Sequence, residues 1–172
     1  MRFCTIPARD RDIRAIHDIS VQCGLSTWTE ADFSGELRRQ NSILIVGISE
    51  VGRVLGFIHG RIIPARESDE SQAEIYNVAT KAEFRRHGVA GRLLTEFIEE
   101  CRSKQVQTVL LEVRASNTAA IDFYRKMGFW EIGLRKNFYS APPEHALSMS
   151  LVLEQGGDII PKEFLKFRSK LG

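Results

Sequence analysis

Two stretches carry the residues best suited to chemistry. The first is Glu83-Phe84-Arg85-Arg86-His87-Gly88-Val89-Ala90-Gly91-Arg92-Leu93-Leu94. Leu93, Leu94, Phe97, Ile98 and Cys101 fall on one helical face, so a helix starts near the glycines. Gly88, Ala90 and Gly91 let a ligand approach backbone N–H groups closely, and Arg85 and Arg86 stand just before them. A helix N-terminus also carries partial positive charge, so the fitting ligand is a phosphate or pyrophosphate. The spacing is neither a P-loop, which needs Gly-Lys-Ser/Thr, nor the dinucleotide Gly-x-Gly-x-x-Gly. A helix that merely begins with ordinary glycines is the other reading. The second stretch runs from Asn117 through Ala120, Ile121, Phe123 and Tyr124 to Gly128 and Phe129. Ala120, Ile121, Tyr124 and Met127 share a helical face, Asn117 can cap the start and Gly128 can stop the end.

The elements that hold these stretches can be read in order. Arg2 to Ile6 is a short strand ended near Pro7, and Asp10 or Asp12 can cap a helix whose apolar side is Ile13, Ile16, Ile19 and Val21. Gly24 closes that helix. Ser26 to Glu30 forms a turn into a second helix, with Thr29 as N-cap and Phe33 and Leu37 facing inward. Trp28 is either a packing residue or a wall of an acceptor site. Ser42–Ile48 and Arg53–Ile63 are strands joined by the hairpin turn Ser49-Glu50-Val51-Gly52. After the polar run Arg66 to Ser71, Ala73–Thr80 is a strand that leads into the glycine-rich loop and a helix ending near Lys104. Val106–Val113 is apolar enough for a central strand buried on both faces. Asn117–Lys126 is a helix, and Phe129–Leu134 and Leu147–Leu153 are closing strands. The order β-α-α-β-β-β-α-β-α-β-β defines a mixed α/β domain over residues 1–154. Residues 155–172 follow Gly156-Gly157 and form a separate tail, where Phe164, Leu165 and Phe167 suggest a short docked helix and disorder is the alternative.

Composition narrows the function. The chain has 172 residues, 43% hydrophobic and 27% charged, which suits one globular domain with a full core. A net charge of +2 makes no case for a nucleic-acid or membrane-surface partner, and the Lys162–Lys170 cluster reads as a solvated helix face. Cys4, Cys23 and Cys101 are odd in number and scattered, and His17, His59, His87 and His145 lack metal-ligand spacing. A reducing compartment with no metal is expected. Met1-Arg2-Phe3-Cys4 lacks a signal-peptide core and no run approaches membrane-spanning length, so the expected location is the cytoplasm.

Arg85-x-x-Gly88-x-Ala90 resembles the pyrophosphate-binding signature of the GCN5-related N-acetyltransferases (GNAT), and the Asn117–Phe129 pattern resembles the second half of the same fold. The run Leu111-Glu112-Val113-Arg114-Ala115-Ser116-Asn117, with Arg135-Lys136-Asn137-Phe138-Tyr139 beyond, is most similar to the ribosomal-protein-alanine N-acetyltransferases. Those enzymes acetylate the N-terminal amino group of a small-subunit ribosomal protein. The resemblance covers Met1 to Leu153, is strongest from Ile75 to Tyr139, and does not reach the tail. It implies a mixed, mostly antiparallel sheet flanked by helices, with acetyl-CoA as cofactor. Arg85, Arg86, His87, Gly88, Val89, Ala90 and Gly91 would hold its pyrophosphate. The backbone of Val78, Ala79 and Thr80 would pair with the pantetheine arm where two strands splay, and Asn117 would hydrogen-bond it.

The resemblance also assigns the proton transfers. An α-amino group has a pKa of about 7.7–8.0 and must lose a proton to attack a thioester. In the resembling enzymes the glutamate of Leu-Glu-Val-Arg-Ala-Ser-Asn is the base, which is Glu112 here. The alternative is a strand-end carboxylate paired with Arg114. Tyr124 would protonate the departing thiolate, or else be a core tyrosine with a satisfied hydroxyl. Three departures stand out. Lys81-Ala82-Glu83 replaces the usual proline after the strand, His87 occupies a variable position and reads as exposed, and Ala141–Ala146 differs where the acceptor pocket is shaped. A small-molecule amine or lysine as acceptor, and an acetyl-CoA-binding module without turnover, therefore remain open. Oligomeric state is not legible.

Overall fold

The computed structural model describes residues 1–25, 28–63 and 70–153. The expected turn at Ser26-Thr27, the polar run 66–69, and the 155–172 tail with its short helix lie outside the described residues.

The chain opens with β1 (Phe3–Pro7) and, after a single helical turn at Asp10–Asp12, α1 (Ile13–Gln22). Asp12 occupies the N-cap, but its carboxylate turns back to accept the Arg9 N–H at 2.9 Å and does not cap the helix. Ile13, Ile16 and Ile19 are buried as expected. Val21 is not: it is 60% exposed, and Ser20 completes the buried stripe. The stripe drifts around the helix by its 3.6-residue period, and Ser20 falls in line with it where Val21 does not. In α2 (Glu30–Leu37) the Thr29 hydroxyl accepts the Asp32 N–H at 3.2 Å while Asp32 accepts the Thr29 N–H at 2.8 Å, a reciprocal cap. Phe33 is buried and Leu37 half-buried.

The hairpin β2 (Ser42–Ser49) and β3 (Val54–Ile63) follows, then β4 (Gln72–Thr80), α3 (Val89–Ser103), β5 (Thr108–Arg114), α4 (Thr118–Lys126), β6 (Trp130–Ser140) and β7 (Pro143–Val152). The element order is the expected one. The seven strands lie in the order β1-β2-β3-β4-β5-β7-β6, and only β4–β5 is parallel, joined by the α3 crossover. The last two strands are longer than their hydrophobic runs. Residues 132–138 of β6 are exposed, the apolar Ile132, Leu134 and Phe138 included, so no core-facing pattern marks how far the strand runs.

Each sheet face buries its own core. Ile43, Ile45, Ile58, Ile75 and Leu111 pack with Leu93 and Phe97 of α3 and with Ile121 and Tyr124 of α4. Leu44, Val46 and Phe57 pack on the other face with Ile16 and Ile19 of α1 and Phe33 of α2. Gly60 permits this closeness, because a Cβ there would come within 2.7 Å of the Phe97 ring.

The β4–β5 pairing is short. It joins Gln72–Ile75 to Thr108–Leu111 and stops. At that point the β3–β4 register slips, with His59 opposite Asn77 and Gly60 opposite Ile75, so Tyr76 is an extra residue on β4. Such a bulge bends its strand, and β4 leaves β5 from Tyr76 onward.

A charged network is buried between α2 and β3. Glu36, only 4% exposed, accepts Arg61 Nε at 2.9 Å and a second bond from Arg61 Nη2, and lies 3.1 Å from His59 Nε2. Burial alone would raise the Glu36 pKa, but the hydrogen bonds from Arg61 and His59 outweigh it and bring it to about 2. Burial pushes His59 down to about 4, against the pull of Glu36. Both values are depressed, so the unfolded chain binds these protons first as pH falls. Stability should be full above pH 6.5, fall between there and about 4 as unfolded His59 charges, and fall again from 4.5 toward about 2 through Glu36. Thermal unfolding followed across pH checks this. His59→Gln keeps a donor for Glu36 but cannot titrate, so it should flatten the upper window and leave the lower one.

Candidate active site

The glycine-rich loop closes onto α3 as an uncapped helix start. Arg86 and Gly88 adopt left-handed φ values of 64° and 81°, a turn that favours glycine at the second position. The first helical bond is Arg92 N–H to Gly88 O at 3.0 Å, and no side chain caps the N–H groups of Val89, Ala90 and Gly91 that precede it. Nothing lies within 4 Å of a Cβ built at Gly88 or Gly91, so the cradle is open to an anion. Val89 turns its side chain into the core and offers only backbone. His87 is exposed, with Nδ1 2.8 Å from the Arg85 carbonyl.

Arg85 is exposed and anchors the loop. Its Nε donates to Thr80 O at 3.2 Å and its Nη2 approaches Cys23 Sγ at 3.6 Å, tying the loop to the end of β4. The cations left beside the cradle are Arg86 and Arg92, the latter 3.5 Å from Glu96. The splay that should free Val78, Ala79 and Thr80 is present, but not all three face it. Lys81 N–H bonds to Leu55 O on the β3 side at 2.9 Å. By the alternation of an antiparallel ladder, Ala79 also turns toward β3 while Val78 and Thr80 turn toward the opening. The Thr80 carbonyl is already taken by Arg85, which leaves its N–H.

Glu112 lies on β5, on the sheet face opposite Leu111 and Val113, with its side chain 18% exposed. Ser148 Oγ is 3.0 and 2.9 Å from its two carboxylate oxygens, and Arg135 Nη1 donates to Oε1 at 3.2 Å. The alternative pairing with Arg114 is not formed. Arg114 instead donates to Glu144 at 3.2 Å, Pro142 O at 3.1 Å and Ala141 O at 2.9 Å, and lies over the Tyr139 ring at 4.1 Å. Glu144 also accepts the Ser116 N–H at 2.7 Å, so the β6–β7 hairpin is latched to the start of α4.

Tyr124 packs against Phe129 and Phe123, with ring centroids 5.7 and 5.2 Å away. Its hydroxyl has no hydrogen-bond partner among the described residues, and burial raises its pKa, with nearby Tyr139 adding to the rise. The phenol therefore keeps its proton at neutral pH. Tyr139 links the two candidates: its hydroxyl donates to the Glu112 carbonyl at 3.4 Å and its ring is within electrostatic reach of Tyr124. Asn117 caps α4 by accepting the Ala120 N–H at 3.2 Å, leaving its amide N–H groups to donate.

Trp28 packs on the buried network, 4.8 Å from the His59 ring, and also lines a cleft of about 410 Å³ with Asp32, Glu36, Arg39 and Arg61. The packing reading of Trp28 holds. The Glu36–His59–Arg61 network and the Ser148 contacts to Glu112 were not legible from sequence, because both depend on strand register and neither has a local motif. No metal-ligating cluster occurs among the described residues. None of their helices is long and apolar enough to cross a membrane.

The sequence profile described as the Acetyltransferase (GNAT) family matches residues 13–129. An Escherichia coli relative named [ribosomal protein bS18]-alanine N-acetyltransferase is 29% identical over 142 residues, 81% of this chain and 90% of its own length. The crystal structure of the E. coli ribosomal-protein-S18-alanine N-acetyltransferase superposes with a TM-score of 0.78 at 25% identity, covering 93% of this chain and 99% of that one. Arabidopsis thaliana NAA60 in complex with acetyl-CoA shares the fold, with a TM-score of 0.79 at 16% identity over 88% of this chain and 99% of its own.

An aspartate at position 91 would separate helix stability from cofactor binding. A carboxylate in the first turn favours the helix by a few tenths of a kcal/mol to about 1 kcal/mol, yet repels a pyrophosphate. Gly91→Asp should leave the unfolding midpoint unchanged or higher while raising the KM for acetyl-CoA about tenfold, checked by thermal unfolding beside steady-state kinetics.

Proposed function

The chain belongs to the GNAT acetyltransferase family, and from that premise we propose that it acetylates the free N-terminal amino group of a protein, with the N-terminal alanine of a ribosomal protein as the foremost acceptor. The names of the E. coli relatives support this acceptor. The observation that carries the reading is that Tyr139 bonds the Glu112 backbone and lies near Tyr124, beside a partly buried carboxylate, Glu112, and a phenol, Tyr124, with no hydrogen-bond partner among the described residues. A binding module without turnover needs neither.

Acetyl-CoA supplies the acetyl group already activated as a thioester. The N–H groups of Val89, Ala90 and Gly91, with Arg86 and Arg92 beside them, hold its pyrophosphate. Val78 and the Thr80 N–H extend the pantetheine along the open edge of β4, and the Asn117 amide adds a donor. Glu112 takes the proton from the acceptor ammonium group, and Arg135 holds one of its oxygens in place. Tyr124 gives its proton to the departing thiolate. The β6–β7 hairpin and Trp28 flank the face where the acceptor arrives.

Thiol release from acetyl-CoA against a panel of acceptors tests the proposal. Peptides with free N-terminal alanine, serine, glycine or methionine are compared with N-blocked peptides carrying an internal lysine and with polyamines. Turnover should be confined to free N-termini and be fastest with alanine. Faster turnover on blocked peptides or polyamines would replace the protein N-terminus with another acceptor class. Glu112→Gln and Tyr124→Phe should each lower kcat by about 10²-fold or more, the scale of general acid–base catalysis, with acetyl-CoA affinity retained. An unchanged kcat removes the corresponding role.

A further inference from the structure

We propose that Ser148 is the positioning residue of the proton-accepting carboxylate, the neighbour that serves Glu112 in both of its protonation states. The inference rests on the reading of Glu112 as the base.

Ser148 is directly opposite Glu112 in the β5–β7 ladder and shares its sheet face. Its Oγ sits 3.0 Å from Oε1 and 2.9 Å from Oε2, so one hydroxyl spans both carboxylate oxygens. Arg135 Nη1 donates to Oε1 alone, at 3.2 Å. The other groups near Glu112 are occupied elsewhere. The Tyr139 hydroxyl is on the Glu112 backbone carbonyl, and Arg114 is turned to Glu144 and the hairpin. Oε1 is thus held by a cation, and Oε2 is the oxygen left to receive a proton.

The chemistry of the two neighbours differs. A guanidinium only donates, so Arg135 serves a carboxylate and has nothing to offer a carboxylic acid hydrogen. A hydroxyl has one hydrogen and two lone pairs. While Glu112 is ionised, Ser148 donates to it. When the amine proton moves from nitrogen to Oε2, the new O–H can be accepted by Ser148 Oγ, whose own hydrogen swings to Oε1 or away. The N–H bond breaks, the Oε2–H bond forms, and the Ser148 O–H bond stays intact throughout. No heavy atom has to move, which keeps the base in one rotamer through the transfer.

A purely structural serine would contribute only strand stability, so the test isolates the hydroxyl. Ser148→Thr and Ser148→Val have nearly the same shape and differ by an O–H against a methyl group. Both are assayed with acetyl-CoA and a peptide bearing a free N-terminal alanine, alongside Glu112→Gln and the Glu112→Gln/Ser148→Val double variant. Acetyl-CoA binding to each is measured by calorimetry and folding by thermal unfolding. Ser148→Thr should keep kcat within about twofold of the parent, and Ser148→Val should lose about tenfold, the equivalent of one hydrogen bond. Acetyl-CoA affinity should be unchanged in both, and the double variant should be no slower than Glu112→Gln alone. Equal kcat in the threonine and valine variants, a further loss in the double variant, or a parallel loss of acetyl-CoA affinity would overturn the proposal. If Glu112→Gln itself turns over at the parent rate, the premise fails first, an outcome distinct from a slow Glu112→Gln beside a fully active Ser148→Val.

Discussion

The structure turns on where the parallel strand pair, β4 with β5, stops. Pairing between β4 and β5 ends at Ile75 and Leu111, because an extra residue, Tyr76, enters β4 against β3 and bends it away. A parallel pair requires a long crossover, and α3 supplies it with its uncapped N-terminus beside the end of β4. The same divergence exposes unpaired backbone on β4 and leaves the Glu112 end of β5 to be bounded by β7 and the β6–β7 hairpin. Both sequence motifs therefore meet at one opening: the glycine loop through the start of α3, and the Asn117 helix through the end of β5.

On the far side of β4 the sheet is stiffened by charge. Glu36, His59 and Arg61 are packed under Trp28 and beside Tyr76, with Arg61 lying 5.9 and 5.4 Å from those two rings. Ion pairs buried this deeply are weak contributors to stability, because desolvation offsets much of their attraction. Their value here is geometric. They fix α2 against β3 and hold the aromatic side chains at the bulge that opens the sheet.

Much of this could be read from residue order, and the misses have physical causes. Helices α3 and α4 and the hairpin β2–β3 have strong periodicity and correct end signals, and all are found where expected. Val21 was expected inside, yet one more residue of rotation puts Ser20 there instead, since an apolar side chain one step off the stripe faces water. Asp10 or Asp12 was expected to cap α1; Asp12 takes the N-cap position, but its carboxylate accepts the Arg9 N–H instead. The length of β6 was hidden because its last residues, Arg135-Lys136-Asn137-Phe138-Tyr139-Ser140, carry no run of core-facing side chains. Among the candidate site residues, the N–H groups of Val89, Ala90 and Gly91 are left uncapped, Arg85 spends its Nε on the Thr80 carbonyl, and Ala79 turns its backbone toward β3, a division set by the packing of the loop on β4. Ser148 has no local signature at all, since its meaning comes from a register set across 36 residues of chain.

The β6–β7 hairpin behaves mechanically as a cantilever. Its root is fixed in the sheet, residues 131–138 of β6 are exposed, and near the tip it is pinned by Arg114, through Ala141, Pro142 and Glu144, and by Glu144 on the Ser116 N–H. Substitutions at the exposed residues 131–138 displace no buried side chain. A lineage carrying this fold can thus remodel the wall beside its reactive centre while leaving the cofactor cradle and the buried core untouched, so new acceptor preferences are reachable by surface change alone.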